Sequence, residues 1–284
     1  VLPTLLAVAS GKGGVGKTSL CVNLAIALAR QGVRTALLDG DVGLANADVL
    51  CGCAGRRTLA HALLGECSLR ETLTPAPGGF LLAAGCTGLP RPLHRSDLAA
   101  LLEQARALGD HLDAVLIDCG AGVGETVLTL LRGADWRLLL ATPEPAAIAD
   151  AYAVFKQLRS HKVPSQRTLL LINQAQDAED ARRAAHRLRS AAERFLGQAP
   201  ATLGWLPADP RVAQAARRRR PALLGSRRAP FSRATRALAQ RMLRERLVQR
   251  APARRRAAGR LRQLRRLCGL RRSAGAKTAS PLPA

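Results

Sequence analysis

The sequence predicts an α/β fold: a mostly parallel central sheet with helices on both faces, followed by a basic C-terminal tail. Three observations predict it. Short apolar runs alternate with helix-length amphipathic stretches along most of the 284 residues. A glycine-rich segment, Gly11-Lys12-Gly13-Gly14-Val15-Gly16-Lys17-Thr18, has the phosphate-loop spacing and joins an apolar run to a helical stretch. The charge is lopsided: the net +24 divides into +3 for residues 1–204 and +21 for residues 205–284.

The elements follow in order. Residues 5–9 are a continuous apolar run ending in Ser-Gly, which suits a strand buried on both faces. After the glycine-rich stretch 11–16, residues 18–31 read as a helix closed by Gly32. Residues 33–38 are the next apolar strand, so the chain opens with a βαβ unit. Residues 59–64 and 96–108 have helical spacing, and residues 114–117 and 138–141 read as central strands. A helix over 147–158, a strand over 168–172, a long helix over 177–195 and a late strand over 202–206 continue the alternation. Residues 210–220 and 231–249 are expected to be helical, and residues 75–79 and 85–92 carry turn chemistry and read as loops. Pro252 breaks the pattern, which gives a domain over 1–250 and an arginine-rich tail over 251–284.

Composition narrows the function classes. Hydrophobic residues make up 48%, enough for a sizeable core, but aromatics only 2%, so the core must be Leu, Ala and Val. An exposed stacking platform for single-stranded nucleic acid is therefore not expected. Seven scattered cysteines without a preceding signal peptide read as small buried hydrophobes of a reducing cytosol. Cys51-Gly52-Cys53 lacks the usual zinc-ligand spacing, and no second pair completes such a site. No run of about 18 apolar residues suggests a membrane span. The chain opens at Val1, one step before a strand, so either the start is unusual or a segment is missing before it.

The chemistry of the loop is direct. Glycines let backbone N–H groups curl around phosphate oxygens without Cβ clashes, and the loop feeds a helix N-terminus that favours an anion. Gly11, Lys12, Gly13, Gly14, Val15, Gly16, Lys17, Thr18 and Ser19 are the expected ATP contacts. Lys17 is placed to neutralise the β- and γ-phosphates, and the Thr18 hydroxyl to ligate Mg²⁺. Two further segments end apolar strands in carboxylates: Leu38-Asp39-Gly40-Asp41, and Ile117-Asp118-Cys119-Gly120-Ala121-Gly122. Ligands bind at such strand ends in open α/β sheets. Taken singly, each Asp could equally be a turn or helix-cap residue.

The second lysine of the loop, Lys12, carries a family resemblance. The form KGGxGK[ST] is the deviant Walker A box, and the chain resembles the MinD/ParA family of dimeric P-loop ATPases over about residues 4–250. The resemblance implies a MinD-like three-layer sandwich with ATP and Mg²⁺ as ligands. It implies that Lys12 crosses a homodimer interface to the partner's ATP and that Asp41, in switch I, positions the attacking water. Asp39 and Asp118 would lie near Mg²⁺ through water, the latter ending a Walker B strand before a switch II built on Gly120 and Gly122. By the same resemblance Asn173 recognises adenine, and the loop with Pro207 and Asp209 covers the base by backbone contacts. Lys12, Lys17, Asp41 and Asp118 are thus the implied catalytic set. Cys119 is expected to be a small filler, and Trp205 to be core.

Several segments look most like the flagellar-number branch of the family (FlhG/FleN): residues 39–50, 118–122, 142–152 and 206–215. That branch implies partners among the flagellar GTPase FlhF and the flagellar switch proteins. Many of its members carry an N-terminal segment that stimulates FlhF, for which the residues before the first strand leave no room. A MinD-like division-site regulator and a ParA-like partition ATPase on nonspecific DNA are the alternatives. Glu144 and Asp150 flank a helix start, either as dipole-matching caps or near the dimer interface. In the tail, residues 257–268 place Leu261, Leu264 and Leu267 on one side and Arg262, Arg265 and Arg266 mostly opposite. An anionic membrane surface is the expected partner, giving a cytoplasmic protein reversibly associated with the inner face of the cell membrane; a solvated tail is the alternative.

Overall fold

Side chains alternate along the central strands, and both faces of the sheet are apolar. Leu5, Ala7 and Ala9 enter one core while Leu6 and Val8 enter the other; Val115 and Ile117 alternate with Leu116 in the same way. A sheet that is apolar on both sides must be covered on both sides. The computed structural model describes residues 2–41, 43–85 and 88–249. The expected tail over 251–284, including the amphipathic stretch 257–268, lies outside the described residues.

The elements in chain order are β1 (Thr4–Ser10), α1 (Lys17–Arg30), β2 (Thr35–Gly40), α2 (Ala47–Cys51), α3 (Leu59–Leu63), α4 (Leu69–Thr72), β3 (Leu73–Ala76), β4 (Phe80–Ala83) and α5 (Arg95–Ala107). They continue with β5 (Ala114–Ala121), α6 (Glu125–Gly133), β6 (Trp136–Ala141), α7 (Pro145–Ser160), β7 (Thr168–Ala175), α8 (Ala178–Leu196), β8 (Ala201–Pro207), α9 (Pro210–Arg217), α10 (Ala222–Gly225) and α11 (Pro230–Arg244). The eight strands form one sheet in the order β3-β4-β2-β5-β1-β6-β7-β8, parallel except for the β3–β4 pair. Helices α5 to α8 cover one face; α1, α10 and α11 cover the other. The predicted three-layer α/β sandwich is the fold observed.

Several boundaries differ from the sequence reading, each for a local reason. The second strand begins at Thr35 rather than at residue 33, because Val33 N–H still donates to the Leu28 carbonyl at 3.2 Å and closes α1. Residues 75–79, read as a loop, contain the end of an antiparallel hairpin. Pro75 lies in β3, and β3 is an edge strand, where a missing N–H is tolerated. The last helix ends at Arg244 rather than at 249. Arg246 adopts a left-handed φ of 57°, and Leu247 N–H turns back to the Met242 carbonyl. Residues 210–220 split likewise: α9 stops at Arg217, and Arg219 is left-handed at φ 48°. Helix α6, which the sequence reading did not assign, follows the glycine-rich end of β5.

Candidate nucleotide site

The sheet order places β1 between β5 and β6, with β2 one strand beyond β5. The C-terminal ends of β1, β2 and β5 are therefore neighbours, at the point where the chain leaves β1 for opposite sides of the sheet. Asp39 at the end of β2 stands in register with Asp118 of β5, and Val8 of β1 is in register with Asp118 on the other side. The phosphate loop springs from β1 directly beside both carboxylates.

The loop is shaped as its glycines require. Gly14 and Gly16 take left-handed φ values of 79° and 88°. A Cβ added to Gly13 or Gly14 would meet nothing within 4 Å, so the loop surrounds an open hollow. Gly16 starts α1 without any side-chain cap, which leaves the helix start to an anion. Val15 and Lys17 are buried, and the Ser10 hydroxyl donates to the Lys12 carbonyl at 2.7 Å. The Ser19 carbonyl accepts from the Asn23 amide at 2.7 Å, so Ser19 anchors the first turn from behind.

Asp118 is 0% exposed, and neither carboxylate oxygen meets a donor in good hydrogen-bonding geometry. Burial pushes its pKa up to about 7, aided by the charges of Asp39 and Asp41, while the Thr18 hydroxyl and the Lys17 ammonium pull it down. Asp39 is equally buried. Its Oδ2 accepts from Asn46 N–H and Ala47 N–H, each at 2.9 Å, whereas Oδ1 has no partner. Burial raises the Asp39 pKa too, and those two N–H groups oppose it. So Asp39 does cap a helix, as the plainer reading had it, yet keeps an oxygen free. Two buried carboxylates with orphaned oxygens next to Thr18 fit a divalent cation such as Mg²⁺.

The switch segments meet here. A Cβ on Gly120 would lie 3.4 Å from Asp41 Oδ1, which places the Asp41 carboxylate against the end of β5. Gly122, at φ 90°, donates its N–H to the Ser10 carbonyl at 2.9 Å. Cys119 is fully buried, as expected of a filler, and burial pushes its thiol up.

Lys12 turns outward. Its ammonium pairs with the Glu144 carboxylate at 2.5 Å, with side chains 35% and 64% exposed. Glu144 sits at the N-cap position of α7 but makes no side-chain cap bond, so of the two roles the sequence left open the cap is not seen, and its carboxylate holds Lys12 instead. Asp150 packs beneath the loop: a Cβ on Gly11 would collide with it. Gly11 is thus required by α7 as much as by any ligand.

Asn173 lies at the end of β7 as expected, with its amide donating to the Val15 carbonyl at 2.7 Å. The amide also stands where a Cβ on Gly16 would be, at 2.6 Å. Its neighbour Gln174, a position the sequence does not single out, donates to the Gly14 carbonyl at 3.4 Å from a left-handed backbone. Pro207 ends β8. Asp209 caps α9 through Arg211 N–H at 3.0 Å and reaches Phe231 N–H at 3.3 Å. Its carboxylate is occupied by the fold, which leaves backbone for any contact with a base. Trp205 is not core: it is 36% exposed, because β8 is the other edge strand. Thr142, just past β6, was missed; it is buried and its hydroxyl has no partner. Nothing local in the sequence separates it from an ordinary strand-end Thr.

The chain is similar to known proteins along most of its length. The family model described as "ParA: NUBPL iron-transfer P-loop NTPase" matches residues 2–243. The chain is 39% identical over 241 residues to the antiactivator FleN of Pseudomonas aeruginosa, covering 84% of this chain and 85% of that protein. It is 38% identical over 153 residues to the flagellum site-determining protein YlxH of Helicobacter pylori, covering 53% and 52%. The cell division protein MinD of Aquifex aeolicus shares the fold with a TM-score of 0.70 at 24% identity, covering 88% of this chain and 98% of that one. A deviant loop with an outward lysine, two orphaned carboxylates at adjoining strand ends and a match along nearly the whole described domain have one common source: the chain belongs to the ParA family of P-loop NTPases.

Proposed function

We propose that this chain is an ATP-dependent dimerising switch with slow ATP hydrolysis, controlling the number or position of flagella. The observation that carries the switch reading is Lys12. It belongs to the phosphate loop, yet its side chain leaves the loop's own hollow for an exposed carboxylate at the rim. A cation held there by one surface ion pair costs about 0–1 kcal/mol to release, so it is free to reach a second copy's nucleotide. Lys17 and the loop amides hold the phosphates, Thr18, Asp39 and Asp118 hold Mg²⁺, and Asp41 orients water between the two switch segments. Bound there, Mg²⁺ neutralises phosphate charge. The similarity to FleN and to YlxH supports the flagellar assignment, with FlhF or flagellar switch proteins as partners. Dimerisation doubles the number of tails, so avidity couples nucleotide state to an anionic membrane.

Turnover and size-exclusion profiles with ATP and with ADP test this. Lys12→Ala should bind ATP but lose about 1,000-fold or more in turnover, the low side of what a trans-acting cation supplies. Asp41→Ala should accumulate as an ATP dimer. Unchanged turnover in the first, or an ATP monomer in the second, would sink the mechanism. A partition ATPase on nonspecific DNA is the second reading, favoured by the arginines at 217–220. Parallel co-sedimentation with anionic liposomes and gel shift on DNA separate the two.

A further inference from the structure

Cys51 and Cys53 bracket Gly52 where α2 ends. The helix stops in a left-handed turn: Gly52 has φ 62°, and Cys53 N–H donates back to the Asp48 carbonyl at 3.1 Å. Such a turn brings its flanking residues within the Cα spacing of about 4.4–6.8 Å that a disulfide bridges. The two thiols differ in access. Cys51 is 3% exposed in the core that α1 covers, whereas Cys53 is half-buried and reaches solvent.

They also differ in chemistry. The neighbouring Cys53 sulfur and burial push the Cys51 thiol up, while the Cys51 thiol holds Cys53 below the ordinary thiol range against an opposing burial effect. A solvent-reaching sulfur that favours the thiolate, beside a buried one that keeps its proton, has the asymmetry of an attacking and a resolving thiol. The turn is wedged between two other parts of the fold. A Cβ on Gly52 would stand 2.9 Å from the Arg219 carbonyl oxygen, so this backbone has no slack. The other end of α2 hangs on Asp39, whose Oδ2 holds Asn46 N–H and Ala47 N–H.

We propose that Cys51 and Cys53 form a reversible intramolecular disulfide under peroxide, and that closing it weakens nucleotide binding through α2 and Asp39. The Cys53 thiolate attacks one peroxide oxygen and the O–O bond breaks. Sulfenic acid forms on Cys53, and the departing hydroxide takes a proton to become water. The Cys51 sulfur then attacks the sulfenic sulfur; the S–S bond forms, and hydroxide leaves with the Cys51 proton as a second water. Two thiols lose two electrons, and one peroxide is reduced to two waters. A dithiol reductant reverses the bridge. A bridge that a reductant can reach through its solvent-facing Cys53 sulfur belongs with the labile, regulatory disulfides.

The test treats the reduced full chain with hydrogen peroxide, alkylates the remaining thiols and maps peptides by mass. Cys67, also partly exposed, is the internal comparison. The expected result is one peptide holding both Cys51 and Cys53, short of two hydrogens and resistant to alkylation until dithiothreitol is added, with Cys67 still alkylatable. Affinity for a fluorescent ATP analogue with Mg²⁺ should fall about fivefold or more, the lower range of coupling between sites, and recover on reduction. Cys53→Ser, a change at the half-buried position, should show neither effect while keeping the wild-type melting temperature. Cys53 carried to sulfinic acid with Cys51 still alkylatable, or Cys67 reacting first, overturns the bridge. A mapped bridge that leaves affinity unchanged overturns the coupling. The coupling rests on the nucleotide reading above: a reduced protein that never binds the analogue would sink both, and the mass map would still decide the bridge.

Discussion

Asp118→Asn separates what the buried carboxylate costs the fold from what it does for a cation. In the metal-free protein Asp118 is fully buried and its pKa is raised from 3.8 to about 7. One unit is about 1.4 kcal/mol, so the charged form costs the fold about 4 kcal/mol once both folded and unfolded chains are ionised. The sign follows from the direction of the shift. The folded state holds its proton to higher pH, so this group's contribution is fully present below about pH 4 and is lost as pH rises through about 7. Asn carries no such dependence. The stability of the variant minus that of the wild type should therefore grow by about 3 kcal/mol between about pH 5 and pH 8. Urea unfolding in EDTA at matched ionic strength measures it. How well the Asn amide packs adds an offset that is the same at every pH, so only the slope counts. A difference that stays flat across that range would refute the assignment of a desolvated carboxylate. With Mg²⁺ and nucleotide the order should reverse, because only the wild type gains a ligand.

Three further outcomes follow from single contacts. Gly11→Ala should destabilise by about 1–3 kcal/mol in thermal melts, because its Cβ collides with Asp150; a melting temperature equal to wild type would show that the loop relaxes freely. Asp209→Ala should cost about 1–2 kcal/mol by urea titration, because it uncaps α9 and releases Phe231 N–H. Glu144→Gln should change stability by less than about 0.5 kcal/mol, because the Glu144 carboxylate of the pair is largely solvated. A loss above about 1 kcal/mol would mean that the pair braces the loop.

What was legible in the sequence was what lies close along the chain. The loop from Gly11 to Thr18, the strand that carries Asp118 and the paired carboxylates of Asp39 and Asp41 all appear as contiguous strings, although β5 runs on to Ala121, three residues past the carboxylate expected to end it. Long helices were legible for the same reason: α8 runs within a residue of its predicted ends, with Asp177 as its cap. The rest depends on partners far apart in sequence. Asn173 reaches the Val15 carbonyl across 158 residues, and Lys12 meets Glu144 across 132. No periodicity announces either pairing; both need the order of strands first. The β3–β4 hairpin was hidden because Pro75 and Gly78-Gly79 are turn residues by composition, and only the edge position makes a strand with Pro acceptable. Trp205 misled for a related reason. A large apolar side chain argues for the interior, but an edge strand has one flank without a neighbour.

The near-absence of aromatic residues turns the molecule into its own optical instrument. It has two tryptophans and one tyrosine. Trp136 opens β6 in register with Leu6, at the end of the sheet away from the loop, packed against the core below α1. Trp205 lies on β8 in register with Ile172, one residue from Asn173 and two from Pro207, and is partly open to solvent. One indole is a distant reference, partly buried against the core; the other looks out beside the position expected for the base. Emission from an unlabelled sample should therefore shift in only one of its two components when that position fills, which permits nucleotide exchange to be followed without any added dye.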